Sequence, residues 1–262
     1  MRSGITNTIL SSMVRRCIFC NCDTTESKSI EHIVPESLGN NNKELVLDRG
    51  CVCDKCNNYF STNIENPFLS LDPIKRIRFE FDVPSKKGRV PTTDVLVCNE
   101  KCEFRRINGE LFVAADSETI VKILKQNPSH LIVKTASIDE MQGSYIVSRM
   151  LAKMAFELVT KSFIDLENSD EDICVELEDE HPFAKLRDYA RNGDFKNRIW
   201  PYSVRNIDLK KDRDGKCTYI SLSFIEDDNK EMLVFKLGRF EFRFHLFTIL
   251  EGEACAPSLQ YN

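Results

Sequence analysis

The sequence predicts an α+β protein in which a small cysteine-rich unit precedes a larger mixed α+β domain. Residues 15–72 contain two Cys-x-x-Cys pairs and few long apolar runs, so this unit would bury too little apolar surface to fold without a cross-link. Residues 75–262 combine segments of strand-like and helix-like apolar periodicity, which together predict the α+β domain. Residues 1–14 are expected to be a short lead-in segment.

The composition is typical of a soluble globular protein, since 42% of the 262 residues are apolar and 29% are charged. No run of about eighteen apolar residues occurs, so no membrane span is expected. The N-terminus lacks the long apolar stretch of a signal peptide. An odd count of eleven cysteines argues against a disulfide framework and favours a reducing cytoplasm.

The net charge of −5 is unevenly distributed along the chain. Nine acidic residues and no Lys or Arg lie between Ile164 and Pro182, and the rest of the chain carries +4. This acidic run is typical of a flexible loop, although it could also mimic nucleic acid and shield a basic surface. Basic clusters at residues 15–16, 75–78 and 86–89 are typical of solvated faces, but such clusters can also meet a phosphate backbone. Nucleic acid is therefore not excluded as a partner.

Short elements are predicted in the first third of the chain. We expect a strand at residues 29–34 and a short helix at residues 57–65. Apolar residues at positions 77, 79 and 81 alternate with charged ones, which predicts a half-buried strand from about residue 75 to 81.

The rest of the chain predicts hairpins and helices. Asn108-Gly109 between two strand-like segments is typical of a β-hairpin. Residues 117–126 are expected to form a helix capped by Ser117. The strongest helical pattern covers residues 137–163, with Ser137 and Glu140 as a capping box and an apolar face suited to core packing. The other predicted elements are a helix at 182–192 and strands at 94–98, 102–106, 131–133, 217–225, 231–237 and 239–246.

The paired cysteines predict a structural zinc site. Zinc prefers four tetrahedral ligands, and thiolates in paired Cys-x-x-Cys turns supply them. Cys22 and Cys51 offer alternative sulfurs, and a redox role is the weaker interpretation because no βαβ pattern surrounds the pairs. The spacing favours Cys17, Cys20, Cys53 and Cys56.

Any chemistry near this zinc must come from other side chains, because a zinc ion with four sulfur ligands is closed and cannot activate water. His32 is one of four histidines and lies between the two cysteine pairs, beside Glu31. A histidine next to an acid is often only structural, but the position of His32 within the cysteine clamp favours a functional role.

Two stretches together resemble the HNH endonucleases of the ββα-metal group. They are Glu31-His32-Ile33-Val34-Pro35-Glu36-Ser37-Leu38-Gly39-Asn40 and Cys53-Asp54-Lys55-Cys56-Asn57-Asn58. Zinc-bearing members of that group carry paired Cys-x-x-Cys knuckles around the same core. The resemblance covers roughly residues 15–70 and implies a ββα-metal fold for the N-terminal unit.

The resemblance implies a role for each matching residue. His32 matches the general base that takes a proton from water, and Glu31 matches the neighbouring acid that binds a catalytic Mg²⁺ or Mn²⁺ ion. Asn57 matches the third signature position, which also holds that ion. The middle asparagine of the signature falls at Asp48, a departure for which Asn40, Asn41 or Asn42 could substitute. Glu65 could face either the metal or solvent.

The implied activity is metal-dependent hydrolysis of DNA phosphodiester bonds, leaving a 5′-phosphate and a 3′-hydroxyl. A hard cation neutralises charge that grows on the phosphate, and an imidazole of near-neutral pKa is suited to activating water. The second domain would position substrate, form a homo-oligomer or respond to an activating ligand or protein. Bacterial proteins of this build often act in antiphage defence or mobile elements. Two alternatives stay open, a non-catalytic zinc module that binds nucleic acid or protein and an RNA-cleaving toxin of the same fold.

Overall fold

The computed structural model describes residues 16–40, 44–167, 183–193, 199–209, 219–227 and 230–247. The predicted lead-in segment lies outside these residues, and so does the acidic run from residue 168 onward. No helix within the described ranges is both long and apolar enough to cross a membrane.

Two antiparallel sheets and a set of helices confirm the predicted α+β class. The first sheet has the strand order β3-β2-β1-β4 and the second has the order β5-β8-β7-β6. The helices are α1 (Asp54–Phe60), α2 (Asn66–Ser70), α3 (Asp72–Glu80), α4 (Ser117–Gln126), α5 (Tyr145–Glu167) and α6 (Ala184–Asn192), with a 3-10 turn at Glu36–Leu38 and a π-helical turn at Ser61–Glu65. The strands are β1 (Thr93–Val97), β2 (Glu100–Ile107), β3 (Glu110–Ala114), β4 (Leu131–Val133), β5 (Tyr202–Asn206), β6 (Ile220–Asp227), β7 (Lys230–Leu237) and β8 (Phe240–His245).

The helix predicted at residues 57–65 is confirmed and extends further in both directions. α1, the π-helical turn and α2 form one helical stretch, which begins after Cys53 because the Cys53 sulfur accepts a hydrogen bond from the backbone N–H of Cys56. Phe60 and Ile64 are fully buried on its inner face. A π-helical turn occurs often at functional sites, and here it ends on Glu65.

The strand predicted at residues 75–81 is wrong, because this segment is the helix α3. Pro73 is tolerated in the first turn, where its missing N–H would have no partner in any case. α3 lies between the two sheets, so it buries side chains on opposite sides: the Phe79 ring centroid is 5.4 Å from that of Phe104 on β2, and the Phe81 ring is 4.9 Å from that of Tyr219 next to β6. Burial on two sides of a helix produced the alternating pattern that suggested a strand.

The strand predicted at residues 29–34 is also wrong, since only a single β-bridge forms there, between His32 and Val46. Backbone bonds from Ile33 N to Leu45 O (3.0 Å) and from Leu47 N to Glu31 O (2.9 Å) flank this bridge. Pro35 follows and has no N–H to continue a ladder. The pairing is short, but it fixes the backbone on both sides of His32.

The long helix was predicted at 137–163, but it begins at Tyr145 and ends at Glu167. Ser137 N does donate to Glu140 Oε2 (3.3 Å), but this bond closes a separate turn that ends at Gly143, where φ is +72°. The predicted apolar face does pack in the core, since Met150, Met154 and similar residues on α5 are fully buried.

The smaller elements follow their predictions closely. Asn108 and Gly109 both have positive φ in the turn between β2 and β3, as a two-residue hairpin requires. α4 forms where expected, but its cap is Asp116, whose carboxylate accepts from Thr119 N, and not Ser117. α6 begins two residues later than predicted and ends at Gly193. In the second sheet, β6 begins at Ile220, and residues 217–218 of the predicted strand lie outside the described ranges.

One hydrophobic core joins the cysteine-rich unit to α5 and the second sheet. The Phe19 ring centroid lies 4.4 Å from that of Phe60 and 5.1 Å from that of Phe156 on α5. A separate small cluster, formed by residues such as Val95 and Ile123, lies between the first sheet and α4. The division into units at residues 72–75 remains a prediction, and the buried residues on its two sides pack against each other.

Replacement of Phe156 tests whether the two units share their stability. Phe156 is 1% exposed, so Phe156→Ala should lower the free energy of unfolding by about 3–5 kcal/mol. Denaturant unfolding would be followed by fluorescence of Trp200, the single tryptophan, and by release of zinc. We expect both signals to change at one shared, lowered midpoint, because Phe156 contacts the cysteine-rich unit.

Leu124→Ala is the matched control, because Leu124 is 69% exposed and its loss should change stability by no more than about 0.5 kcal/mol. Zinc release that stays at the wild-type midpoint while the tryptophan transition shifts would show that the two units unfold independently.

Candidate active site and metal centre

The four predicted cysteines converge on one point. The sulfurs of Cys17, Cys20, Cys53 and Cys56 all lie within 4.8 Å of one another. A zinc ion with Zn–S bonds of about 2.3 Å requires sulfurs about 3.8 Å apart, and the sulfurs of Cys20 and Cys53 are 3.6 Å apart. The donor set therefore fits a structural zinc ion, and it is the one such group of His, Cys, Asp and Glu ligands in the part of the chain that the structure describes.

Two tight backbone turns bring these sulfurs together. In the first, Asn21 adopts a left-handed conformation with φ of +55°, and its N–H donates to Cys17 O (2.8 Å). In the second, the Cys53 sulfur accepts from Cys56 N (3.3 Å) at the start of α1. A bond from Ile18 N to Cys51 O (2.9 Å) joins the turns. Local backbone geometry thus prepares all four ligand positions.

The structure separates the alternative sulfurs from this group. The Cys22 sulfur lies 3.4 Å from that of Cys20, but Cys22 is exposed and neither it nor Cys51 belongs to the cluster. A hydrogen bond from Cys56 lowers the pKa of the Cys17 thiol to about 5. Arg191 on α6 lies beside the cluster: burial opposes its charge, but its hydrogen bond to Cys56 and the nearby cysteines raise its pKa above the ordinary value. A cation here would offset the negative charge of four thiolates.

Hydrogen bonds hold the backbone on both sides of the segment that carries Glu31 and His32. Before it, the Asp54 carboxylate at the start of α1 accepts from Lys28 N (3.0 Å) and Ser29 N (2.9 Å). After it, the buried Asn40 side chain donates to Val34 O (2.8 Å) and Leu45 O (3.0 Å). Together with the bridge at His32, these bonds fix the backbone that carries the Glu31 and His32 side chains.

The Glu31 side chain ends in a buried cluster of charges around Lys153 of α5. Lys153 Nζ lies 2.8 Å from Glu31 Oε1, 3.1 Å from Glu65 Oε1 and 2.8 Å from Glu157 Oε2. It also donates to the backbone carbonyl of His32 (3.0 Å). Lys153 is wholly buried. We call these four residues, Lys153, Glu31, Glu65 and Glu157, the lysine cluster.

The charges of the lysine cluster do not balance, since three carboxylates surround one ammonium. Burial alone would lower the pKa of Lys153, but the carboxylates of Glu157, Glu31 and Glu65 raise it well above its ordinary value, so the lysine is charged. Burial raises the pKa of Glu157 and of Glu31, and Lys153 only partly offsets that effect. The cluster therefore favours retention of a proton on a carboxyl group. Glu31 Oε2 is buried and has no hydrogen-bond partner among the described residues.

His32 faces a polar surface, because its side chain is 18% exposed and Nε2 lies 3.2 Å from Glu36 Oε1. The geometry of this contact is not that of a hydrogen bond, and Nε2 has no hydrogen-bond partner among the described residues. Burial lowers the pKa of His32, with the Glu36 carboxylate opposing that effect. This shift favours the uncharged form of the imidazole, which is able to accept a proton.

Asn57 lies on α1 next to these residues. Its Nδ2 donates to Ile30 O (3.3 Å). Burial raises the pKa of the Glu31 carboxyl, and the Asn57 amide offsets a small part of that rise. The structure thus brings Glu31, Asn57 and Glu65 to one place, with His32 at its edge.

Residues 17–70 match the family model of HNH endonucleases. The match covers about one fifth of the chain and includes all four cysteines, Glu31, His32 and Asn57. No curated protein and no solved structure gives a significant match. Residues 17–70, from here on the HNH region, are therefore similar to a family of nucleases, and their cysteine cluster is suited to a metal such as zinc.

Asp48 stands apart from the other predicted site residues. It is exposed, and its backbone carbonyl accepts from Cys51 N (3.2 Å) in the second cysteine turn. No contact among the described residues joins its carboxylate to Glu31, His32 or Asn57. Asn40 is occupied by its two backbone bonds, and Asn41 and Asn42 lie outside the described ranges. The middle position of the signature stays unassigned.

Sequence reasoning missed the roles of Lys153, Glu157 and Glu36. A Lys and a Glu four residues apart within an otherwise apolar helical face were a usable signal, because charges on a buried face need partners. Glu36 lies only four residues after His32, but the segment between them is not helical, so helical spacing does not predict this contact. The partner of His32 O, in contrast, is 121 residues away in the chain, and no local pattern identifies it.

Single cysteine replacements test the ligand set. Cys56→Ser should abolish stoichiometric zinc binding and destabilise the protein, because a structural zinc site contributes directly to folding. Cys22→Ser and Cys51→Ser are matched controls that should each retain one zinc per chain. Metal content of purified protein and its thermal unfolding provide the readouts. Loss of zinc in either control would contradict the four-cysteine assignment.

Removal of the buried ammonium tests the lysine cluster. Lys153→Met should destabilise the protein by about 3–5 kcal/mol, since it leaves buried carboxylates without their cation. Lys161→Met is a matched control on the same helix and should cost no more than about 1 kcal/mol, because its pair with Asp165 is partly exposed. Chemical denaturation measures both. The double variant Lys153→Met/Glu157→Leu should recover part of the loss, and no recovery would contradict a charge imbalance as the cause.

Proposed function

We propose that this protein is a metal-dependent HNH endonuclease that cleaves DNA, with His32 as the general base. The observation that carries this proposal is the placement of His32: its side chain is partly exposed within the HNH region, and its backbone carbonyl accepts a hydrogen bond from Lys153. The lowered pKa of His32, caused by burial, is consistent with this role. A base must be unprotonated and reachable to take a proton from water.

The contact with Glu36 supports this role. Because Nε2 is buried against Glu36, Nδ1 is the ring nitrogen that would accept the proton from water. The imidazolium formed in that step would carry a positive charge, which the Glu36 carboxylate at 3.2 Å would stabilise. Glu36 itself is partly exposed and also lies 3.8 Å from Lys86 Nζ.

Glu31 and Asn57 are proposed to hold the catalytic Mg²⁺ or Mn²⁺. The unpartnered Oε2 of Glu31 is a hard oxygen donor of the kind these ions prefer, and the Asn57 amide lies beside it. When bound, the ion would neutralise charge on the phosphate and the leaving oxygen. Lys153 is a positioning residue, because it fixes Oε1 of Glu31 and the carbonyl of His32.

The proposed substrate and context come from the HNH resemblance. DNA is proposed over RNA because the HNH endonucleases that the segment resembles cut DNA. Antiphage defence or a mobile element is the proposed setting. Phage plating on cells that express wild-type protein or His32→Ala would test defence, and equal plating would count against it.

Replacement of the proposed base tests the activity. His32→Ala should lower the rate of DNA cleavage by about 10²–10⁴-fold, with zinc content unchanged, because general base catalysis contributes about that much. His130→Ala is the matched control, since His130 is exposed and lies on the segment before β4, outside the HNH region. Cleavage of plasmid DNA and of RNA would be measured side by side with Mg²⁺ and with Mn²⁺.

The same assay separates the alternatives. RNA cleavage without DNA cleavage would favour the toxin. Wild-type protein that carries zinc and binds nucleic acid, but cuts neither substrate with either metal, would favour a non-catalytic zinc module. Equal rates for wild type and His32→Ala would remove His32 from the mechanism.

A further inference from the structure

A pocket of about 440 Å³ lies beside the turn that follows His32, and it is lined by polar side chains together with Leu69 and Pro91. Its walls come from the turn at Ser37, from α2, from α3 and from the loop before β1. This volume lies within the range of about 300–1,000 Å³ that is typical of ligand sites. The pocket does not include the residues proposed for catalysis.

Arg78 is the unusual member of this pocket. It is 6% exposed, and its Nε and Nη2 atoms are buried and donate to no described residue. Burial lowers the pKa of Arg78, with Tyr219 opposing that effect, and an arginine nevertheless stays charged in proteins. A buried guanidinium normally has acceptors for its hydrogen bonds, because an unpaired buried charge is costly. Unused donors of this kind indicate that an anion completes the site.

The other walls of the pocket suit an anion with several oxygen atoms. They contribute hydroxyl groups, one side-chain amide and a second cation, Lys75, and no lining residue is acidic. Lys75 does pair with Asp72 at 3.3 Å, but this pair is substantially exposed and leaves the ammonium free to turn. The hydroxyl groups belong to Ser37, Ser70, Ser85 and Thr92, and the amide belongs to Asn66.

Two residues that line the pocket are neighbours in sequence of residues at the proposed active site. Ser37 directly follows Glu36, which faces the His32 imidazole, and Asn66 directly follows Glu65 of the lysine cluster. His32 and Ser37 are five residues apart, so their Cα atoms are separated by no more than about 18 Å. A strand bound at His32 could therefore place a neighbouring phosphate in this pocket.

We propose that this pocket binds a phosphate group, with the Arg78 guanidinium as its principal donor. A guanidinium forms strong, charge-assisted hydrogen bonds with phosphate oxygens, and the surrounding hydroxyl groups can satisfy the remaining lone pairs. The phosphate that occupies it is a phosphodiester of the same nucleic-acid strand that is cut at His32. The assignment of this phosphate to a nucleic-acid substrate rests on the proposed nuclease function, but the proposal that the pocket binds phosphate does not.

Binding without cleavage provides the first test. The full chain would be titrated with a labelled single-stranded oligonucleotide and a duplex, with EDTA added only in the binding step and zinc content checked afterwards. Arg78→Met should weaken binding about tenfold at low salt and reduce the dependence of log K on log salt by about 0.7–0.9, the loss of one phosphate contact. Lys87→Met is the matched control, since it removes an equal, exposed charge outside the pocket and should have little effect.

A second variant, Ser70→Trp, tests the same pocket in case Arg78→Met does not fold. Ser70→Trp fills the mouth of the pocket from the exposed end of α2 and changes no charge. It should weaken oligonucleotide binding to a similar extent while thermal unfolding stays close to that of the wild type.

A second arm distinguishes the source of the phosphate. Inorganic phosphate and a mononucleotide would be tested by calorimetry and by their effect on thermal unfolding. Weaker oligonucleotide binding in both variants supports the substrate phosphodiester. Loss of only phosphate or mononucleotide binding supports a phosphate pocket and overturns the phosphodiester as its source. Unchanged binding of all these probes in both variants would overturn the proposal, whether or not His32→Ala abolishes cleavage.

Discussion

The geometry of the candidate site depends on the contacts made by the buried ammonium of Lys153. It joins Glu31, Glu65 and the carbonyl of His32 from the HNH region to Glu157 on α5. Transfer of these charges from water costs several kcal/mol for each ion, so the cluster forms only where all partners are in place. The Phe60 ring also lies 5.7 Å from the ammonium. The orientation of a motif near the N-terminus is thus set by a helix from the other half of the chain.

The cysteine cluster acts at shorter range. Its four sulfurs close two small loops, but the surrounding apolar surface is covered by α5 and not by the HNH region alone. Arg149 strengthens the same junction, since its Nη2 donates to Tyr59 Oη (3.0 Å) on α1 and to Arg191 O (2.7 Å) at the end of α6. Arg191 in turn lies beside the sulfurs. The metal centre and the second half of the chain are therefore coupled through two arginines.

Charge near the HNH region differs from the charge of the whole chain. The chain as a whole carries −5, yet Lys75, Arg78 and Lys86 lie along one side of the turn that follows His32. Phosphate contacts position a nucleic acid without reading its bases. Cations at this place would attract the phosphate backbone of a nucleic acid that runs past His32. The acidic run between Ile164 and Pro182 would repel a nucleic acid.

Several features could be predicted from the sequence because they depend on neighbours in the chain. The cysteine spacing predicted which four sulfurs lie together, since a Cys-x-x-Cys turn places two sulfurs on one side by backbone geometry alone. Asn108-Gly109 identified its hairpin, because both residues tolerate the positive φ that the turn requires. The HNH resemblance rested on contiguous residues for the same reason.

Tertiary structure decided the rest. α3 was mistaken for a strand because its burial on two sides comes from sheets that are distant in sequence. Glu31 was predicted to be a site residue, but its ion-pair partner Lys153 could not be predicted, since only the packing of α5 brings it there. Arg78 likewise belonged to an ordinary basic cluster until the fold buried it without an acceptor. The sequence by itself determined which groups are available for chemistry, and the tertiary structure determined their partners, because burial and long-range pairing arise only when distant segments pack together.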